Sequence, residues 1–310
     1  MVYETFLKTI HTMVQERLGT RAQVSLQRVL KNNGLLLDGL SFSSPSSALS
    51  PTVYLNSYYD EAERGLPLSI ITEQIVLLYE TDPGFPEELG ARIRSLNQIQ
   101  DQIVYRLINA GENEILLSGL PHIPYLDLAI VFSVIVAENS ARQMSTLIHR
   151  SHLNLWGISQ EELGQLAERN TPRLLPARID PIERIIGLAG CPDSDPDSRI
   201  PLYVMSNDRG INGAACLLYP GILKEFAARF DDDLVVLPSS IHEVLLTPLK
   251  TAFPPAELNE MIRFINRSDV PREDRLSDHI YCYSRSQNCL YIPAGSTLTP
   301  SGADETKNPQ

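Results

Sequence analysis

The longest apolar run in the chain, Leu128 to Ala137, is interrupted only by Ser133. It is well short of the roughly 20 residues that a membrane-spanning helix requires. Val131, Val134, Ile135 and Val136 make the run β-branched, and it is apolar on both parities. That is the pattern of a strand covered on both faces, so a strand over Leu126–Val136 is expected at the centre of a sheet. A chain of 310 residues has enough length to supply the covering layers.

The flanking segments alternate between helical and extended patterns. Phe6, Ile10, Met13, Val14 and Leu18 recur at helical spacing and Gly19 follows as a stop, which predicts an opening amphipathic helix. Val24 and Leu26 begin a strand, Asn33-Gly34 supplies the two positive-φ positions of a type I′ turn, and Leu35–Leu40 returns. Ser41–Pro51 reads as a loop, Val53–Tyr58 as extended, and Ile71, Ile75 and Leu78 as a second helix ended by Pro83-Gly84-Phe85-Pro86. From Glu87 a helix is expected to pass into a strand near Ile103–Leu107. Alternation from Thr146 to Leu155 predicts a strand, and Ser159 with Glu162 forms a capping box ahead of a helix broken at Pro172. Beyond the acidic loop Cys191–Pro201, strands are expected at 202–205, 214–218, 234–237 and 241–246. Helices are expected at 222–230 and 255–265, and a closing hairpin at 280–292. Hairpins interspersed with helices give an α+β fold with mainly antiparallel sheets, not a Rossmann fold, whose glycine fingerprint is missing. The expected organisation is an α+β region over 1–125, a second over 126–293, and a disordered tail over 294–310.

Charge and motifs narrow the functional classes. Thirty-eight acids against twenty-six bases give a net charge of −12, which opposes attachment to nucleic acid or anionic lipid. The first twenty residues place Glu4, Lys8, Glu16 and Arg17 where a secretory h-region would be apolar, so a cytoplasmic location is expected. The most reactive-looking segment is Ser239-Ser240-Ile241-His242-Glu243. On an extended strand Ser240 and His242 share a face while Glu243 points away, so the three cannot chain hydrogen bonds, and a turn leading onto a packed face is the simpler reading. Pro121-His122-Ile123-Pro124-Tyr125-Leu126-Asp127 sets a histidine and a carboxylate on a stiff loop, where either side chain could equally satisfy nearby backbone groups.

Metal chemistry finds no pattern. His149 and His152 fall on opposite faces of the expected strand, and no C-x-x-C or H-E-x-x-H occurs. Asp193, Asp195 and Asp197 copy three positions of a calcium loop, but Ser198 and Val204 stand where glycine and glutamate are needed. Of four cysteines, Cys282 and Cys289 would face each other if the last hairpin turned at Arg285-Ser286. Neither cofactor nor metal is expected.

Several stretches together resemble a bacterial family carrying the domain of unknown function 5688: KNNG at Lys31–Gly34, SPTVYL at Ser50–Leu55, PHIPYLDLAIVF at Pro121–Phe132 and WGIS at Trp156–Ser159, then NTPR at Asn170–Arg173, GAACLLYPG at Gly213–Gly221, LPSSIHEV at Leu237–Val244 and LSDHIY at Leu276–Tyr281. The resemblance covers roughly residues 1 to 285 and implies a bacterial cytosolic protein, with no catalytic residue to carry over. The expected function is a noncatalytic binding or regulatory protein acting on a protein partner or small ligand. The competing expectation is a hydrolase with His242 or His122 as general base and Ser240 or Asp127 nearby.

Overall fold

A computed structural model describes residues 1–43, 52–81, 92–138, 143–185 and 201–293. The acidic loop with Asp193, Asp195, Asp197 and Cys191, the Pro83–Pro86 stop and the tail from 294 lie outside the described residues. Two compact units divide the chain: Met1–Tyr105 with Ala110–Ile123 and Ile130–Leu174, and Arg106–Asn109 with Pro124–Ala129 and the residues from Leu175 onward.

In the first unit the opening helix spans Tyr3–Leu18 and buries Phe6, Leu7, Ile10, Val14 and Leu18. It ends where Gly19 adopts φ 59°, a conformation that costs glycine little, and returns its N–H to Gln15 O. Strands β1 (Gln23–Leu30) and β2 (Leu36–Ser43) pair antiparallel with Leu30 opposite Leu36. Between them Asn33 and Gly34 take φ 55° and 67°, and Leu35 N–H bonds Asn32 O at 3.3 Å, the I′ geometry expected of Asn-Gly. Strand β3 (Thr52–Tyr54) adds to β2, but the extended reading to Tyr58 fails, because a helix begins at Asn56. Leu40 and Phe42 from β2 join Ile71 and Ile75 of the Leu68–Thr81 helix in one core with the first helix.

Strands β4 (Ile103–Asn109), β5 (His122–Tyr125), β6 (Leu128–Glu138) and β7 (Gln143–Leu147) form a four-stranded sheet in the order β4-β6-β5, with β7 also on β6. The apolar run is thus central in its sheet, and Leu128, Phe132 and Val134 on one face and Ala129, Val131 and Ile135 on the other are all buried, as its pattern requires. The strand expected to Leu155 stops at Leu147, and Arg150–Trp156 is a helix capped at His149. His152 N-terminal capping and its stacking on Trp156, with ring centroids 5.4 Å apart, override the local alternation. The Ser159–Glu162 capping box forms, with Ser159 N–H to Glu162 at 2.8 Å and Glu162 N–H to Ser159 Oγ at 3.1 Å. Its helix runs through Pro172 to Leu174, although the proline offers no N–H to the preceding turn.

The second unit carries a six-stranded antiparallel sheet in the order β13-β12-β10-β11-β9-β8, from β8 (Ala177–Pro181), β9 (Tyr203–Asn207), β10 (Leu234–Leu237), β11 (Val244–Pro248), β12 (Tyr281–Ser284) and β13 (Cys289–Tyr291). The fold is α+β. Gly213–Leu218 is a 3-10 helix, not the strand expected over 214–218, because an apolar run of five without alternation does not distinguish the two. The Pro255–Ser268 helix buries Leu258 and Ile262 against Val235, Leu237, Ile280 and Cys282. The last hairpin turns two residues wider than the register that would oppose the cysteines: Cys289 faces Ser284, and Cys282 faces Tyr291. Cys216, Cys282 and Cys289 are free thiols.

Candidate functional site

The β5–β6 hairpin turns through Leu126 and Asp127, with Leu126 at φ 56° and 40% exposed. A leucine in this left-handed region is strained. The next residue, Asp127, is held from a distant part of the chain. Its Oδ2 accepts the Ser277 hydroxyl at 2.6 Å and the His279 ring at 3.1 Å, and its Oδ1 accepts the Tyr281 hydroxyl at 2.6 Å. The bend at Asp278–His279 that leads into β12 brings all three donors to one carboxylate. Ser277 and Tyr281 are buried. Burial, followed by the Asp127 charge and hydrogen bond, raises the Tyr281 phenol well above its ordinary value.

Side-chain amides brace that segment. Asn109 donates to Leu276 O at 2.9 Å, and Asn266 to Ser277 O at 3.0 Å and Asp278 Oδ1 at 2.7 Å. Asn259 accepts Ile280 N–H at 2.8 Å. Asn259 and Asn266 are seven residues apart on one helix, which puts both on its buried face. The donors to Asp127 therefore sit on fixed backbone.

The bonding pattern also sets the proton positions. A carboxylate oxygen only accepts, so His279 Nδ1 carries a hydrogen, and Nε2 is an acceptor whenever the ring is neutral. Nε2 has no partner among the described residues, and the side chain is 29% exposed. Ser277 Oγ gives its proton to Asp127 and accepts His279 N–H at 2.9 Å. Its hydroxyl is thus not aligned on the imidazole. Tyr125, at the foot of the hairpin, lines a cleft of about 170 Å³ with Leu217, Tyr219, Lys224, Tyr283 and Cys289.

Ser240 and His242 come together differently from a nucleophile and its base. Ser240 Oγ accepts His242's main-chain N–H at 3.0 Å, while the ring turns away to bond Asp274 through Nε2 at 3.2 Å. His242 Nδ1 accepts Asn212 N–H at 3.2 Å, and its carbonyl accepts Ser206 Oγ at 2.7 Å. Both ring nitrogens are engaged. Gly213 packs against the same carbonyl so closely that a Cβ would overlap it, Ser206 Oγ and Asn207 N. His122 Nδ1 donates to Leu120 O at 3.1 Å, and its carbonyl accepts Gln160 at 3.0 Å. Of the four sequence candidates only Asp127 joins an acid-imidazole pair with an unoccupied nitrogen, and its histidine, His279, was not among them.

Among the described residues no three His, Cys, Asp or Glu side chains converge to hold a metal, and no helix is long and apolar enough to cross a membrane. No curated protein and no solved structure matches the chain. The sequence model of a family of unknown function, DUF5688, matches residues 3–285, and the two segments that meet at Asp127 lie within that span. The chain belongs to this family.

Proposed function

We propose that this chain is a noncatalytic binding protein whose recognition edge is His279 Nε2 at the tip of the β5–β6 hairpin. The observation that carries the reading is the triple hydrogen bond to Asp127. It consumes the protons of Ser277 and Tyr281, fixes the His279 ring on the residue that follows the exposed Leu126, and leaves Nε2 of the neutral ring as a directed acceptor. A ligand complementary to this edge offers a hydrogen-bond donor to Nε2 and an apolar surface to Leu126. A hydrolase would need a serine hydroxyl on an imidazole nitrogen, whereas Ser277 gives its hydroxyl to Asp127 and the His242 ring nitrogens bond Asn212 and Asp274, not Ser240.

Two assays with the full chain separate the readings. Hydrolysis of p-nitrophenyl acetate and p-nitrophenyl phosphate is expected to be no faster than with His279→Ala. Ligand-observed NMR of a fragment library is expected to show binders that His279→Ala loses and His242→Ala keeps. Turnover abolished by both His279→Ala and Ser277→Ala would establish the hydrolase instead.

A further inference from the structure

Arg106 interrupts a strand whose other central residues, Val104, Tyr105, Leu107 and Ile108, are buried. Its guanidinium Nε is sealed from solvent and has no hydrogen-bond partner. Among the described residues no carboxylate or carbonyl pairs with its terminal nitrogens either. The seal closes over Nε, while the residue as a whole keeps part of its surface. Burial alone pushes the group down to about 10, which leaves it protonated at neutral pH. A charge drawn out of water without a counter-ion is costly, and a methionine would fill the same space without that cost. Acids are not scarce in a chain with 38 of them, yet among the described residues none pairs with this group.

We propose that Arg106 is the recognition residue of a small oxyanion, a carboxylate or a phosphate, that docks on the outer edge of its guanidinium. The planar fork matches two oxygens of such a group, which a lysine cannot do. The inference rests on Arg106 and is independent of the reading of His279.

The test is a thermal titration of the full chain in a Tris chloride buffer at constant ionic strength, with inorganic phosphate in one arm and acetate in the other. An anion that binds only the folded state raises the melting temperature saturably. The expected result is such a rise in at least one arm, its identity assigning phosphate or carboxylate. Arg106→Lys should then bind at least about ten-fold more weakly. Arg106→Met should show no rise while melting, without anion, no lower than the parent chain. Should Arg106→Met fail to fold, the Lys variant carries the comparison. An equal rise in Arg106→Met, an unweakened response in Arg106→Lys, or no rise in either arm up to roughly 50 mM overturns the proposal.

Discussion

Asp127 and Tyr281 are 154 residues apart in sequence, yet the tyrosine hydroxyl donates to the carboxylate at 2.6 Å. Ser277 and His279 complete the set. Asp127→Ala strands three donors, two of them buried, and is expected to destabilise the chain by about 3 kcal/mol. Tyr281→Phe removes one bond and should cost about 2 kcal/mol. Urea unfolding at neutral pH measures both, and a loss below about 0.5 kcal/mol for Asp127→Ala would show that the cluster does not hold the hairpin.

Alkaline unfolding follows from the same tyrosine. Its folded pKa lies well above the ordinary value of 10.0. Below pH 10 the phenol is neutral in both states and its contribution is whole. Above it the unfolded chain ionises first, so stability falls as pH rises toward the folded pKa. Cys216, which burial pushes up to about 12, acts in the same direction from about pH 9. Stability measured from pH 8 to 11 should decline, and more shallowly in Tyr281→Phe. A slope unchanged by that substitution would contradict the assignment.

Leu126 is the other half of the hairpin tip. Glycine adopts its φ of 56° without the steric penalty, so Leu126→Gly should raise stability by about 1 kcal/mol. In the fragment assay the same variant should lose affinity, because the exposed side chain is the apolar part of the recognition edge. A destabilised Leu126→Gly would mean that leucine packing outweighs the strain.

Gly213→Ala tests the support around His242. A methyl group there overlaps backbone atoms of His242 and Asn207, so the turn must shift at a cost of about 3 kcal/mol, with loss of the Ser206 bond. Thermal unfolding reads the effect, and a neutral Gly213→Ala would show that the turn yields freely.

Much of the fold was legible because local chemistry agreed with the tertiary result. The Asn33-Gly34 turn, the Ser159–Glu162 cap and the two-faced β6 strand each carry their own signal. The failures come where the local signal is degenerate. Alternation around His149–Leu155 imitates a strand until the His152–Trp156 stack and the cap at His149 decide for a helix. The apolar Ala214–Leu218 run has no period at all. The site was half legible: Asp127 stood out beside His122, but His279 lies 152 residues away. A usable signal did exist in the closely spaced Ser277, His279 and Tyr281, three hydrogen-bond donors just ahead of and within a buried strand, which call for an acceptor from elsewhere in the chain.

Asp127 orients His279 and leaves Nε2 of the neutral ring as an acceptor. Long-range ¹H–¹⁵N correlation NMR of the imidazole rings tests this directly, since the two nitrogens of each tautomer resonate differently. The predicted result is His279 in the Nδ1–H tautomer, with Asp127→Asn shifting its nitrogens and leaving those of His242 in place. An Nε2–H tautomer at His279, or a ring indifferent to Asp127→Asn, would contradict it.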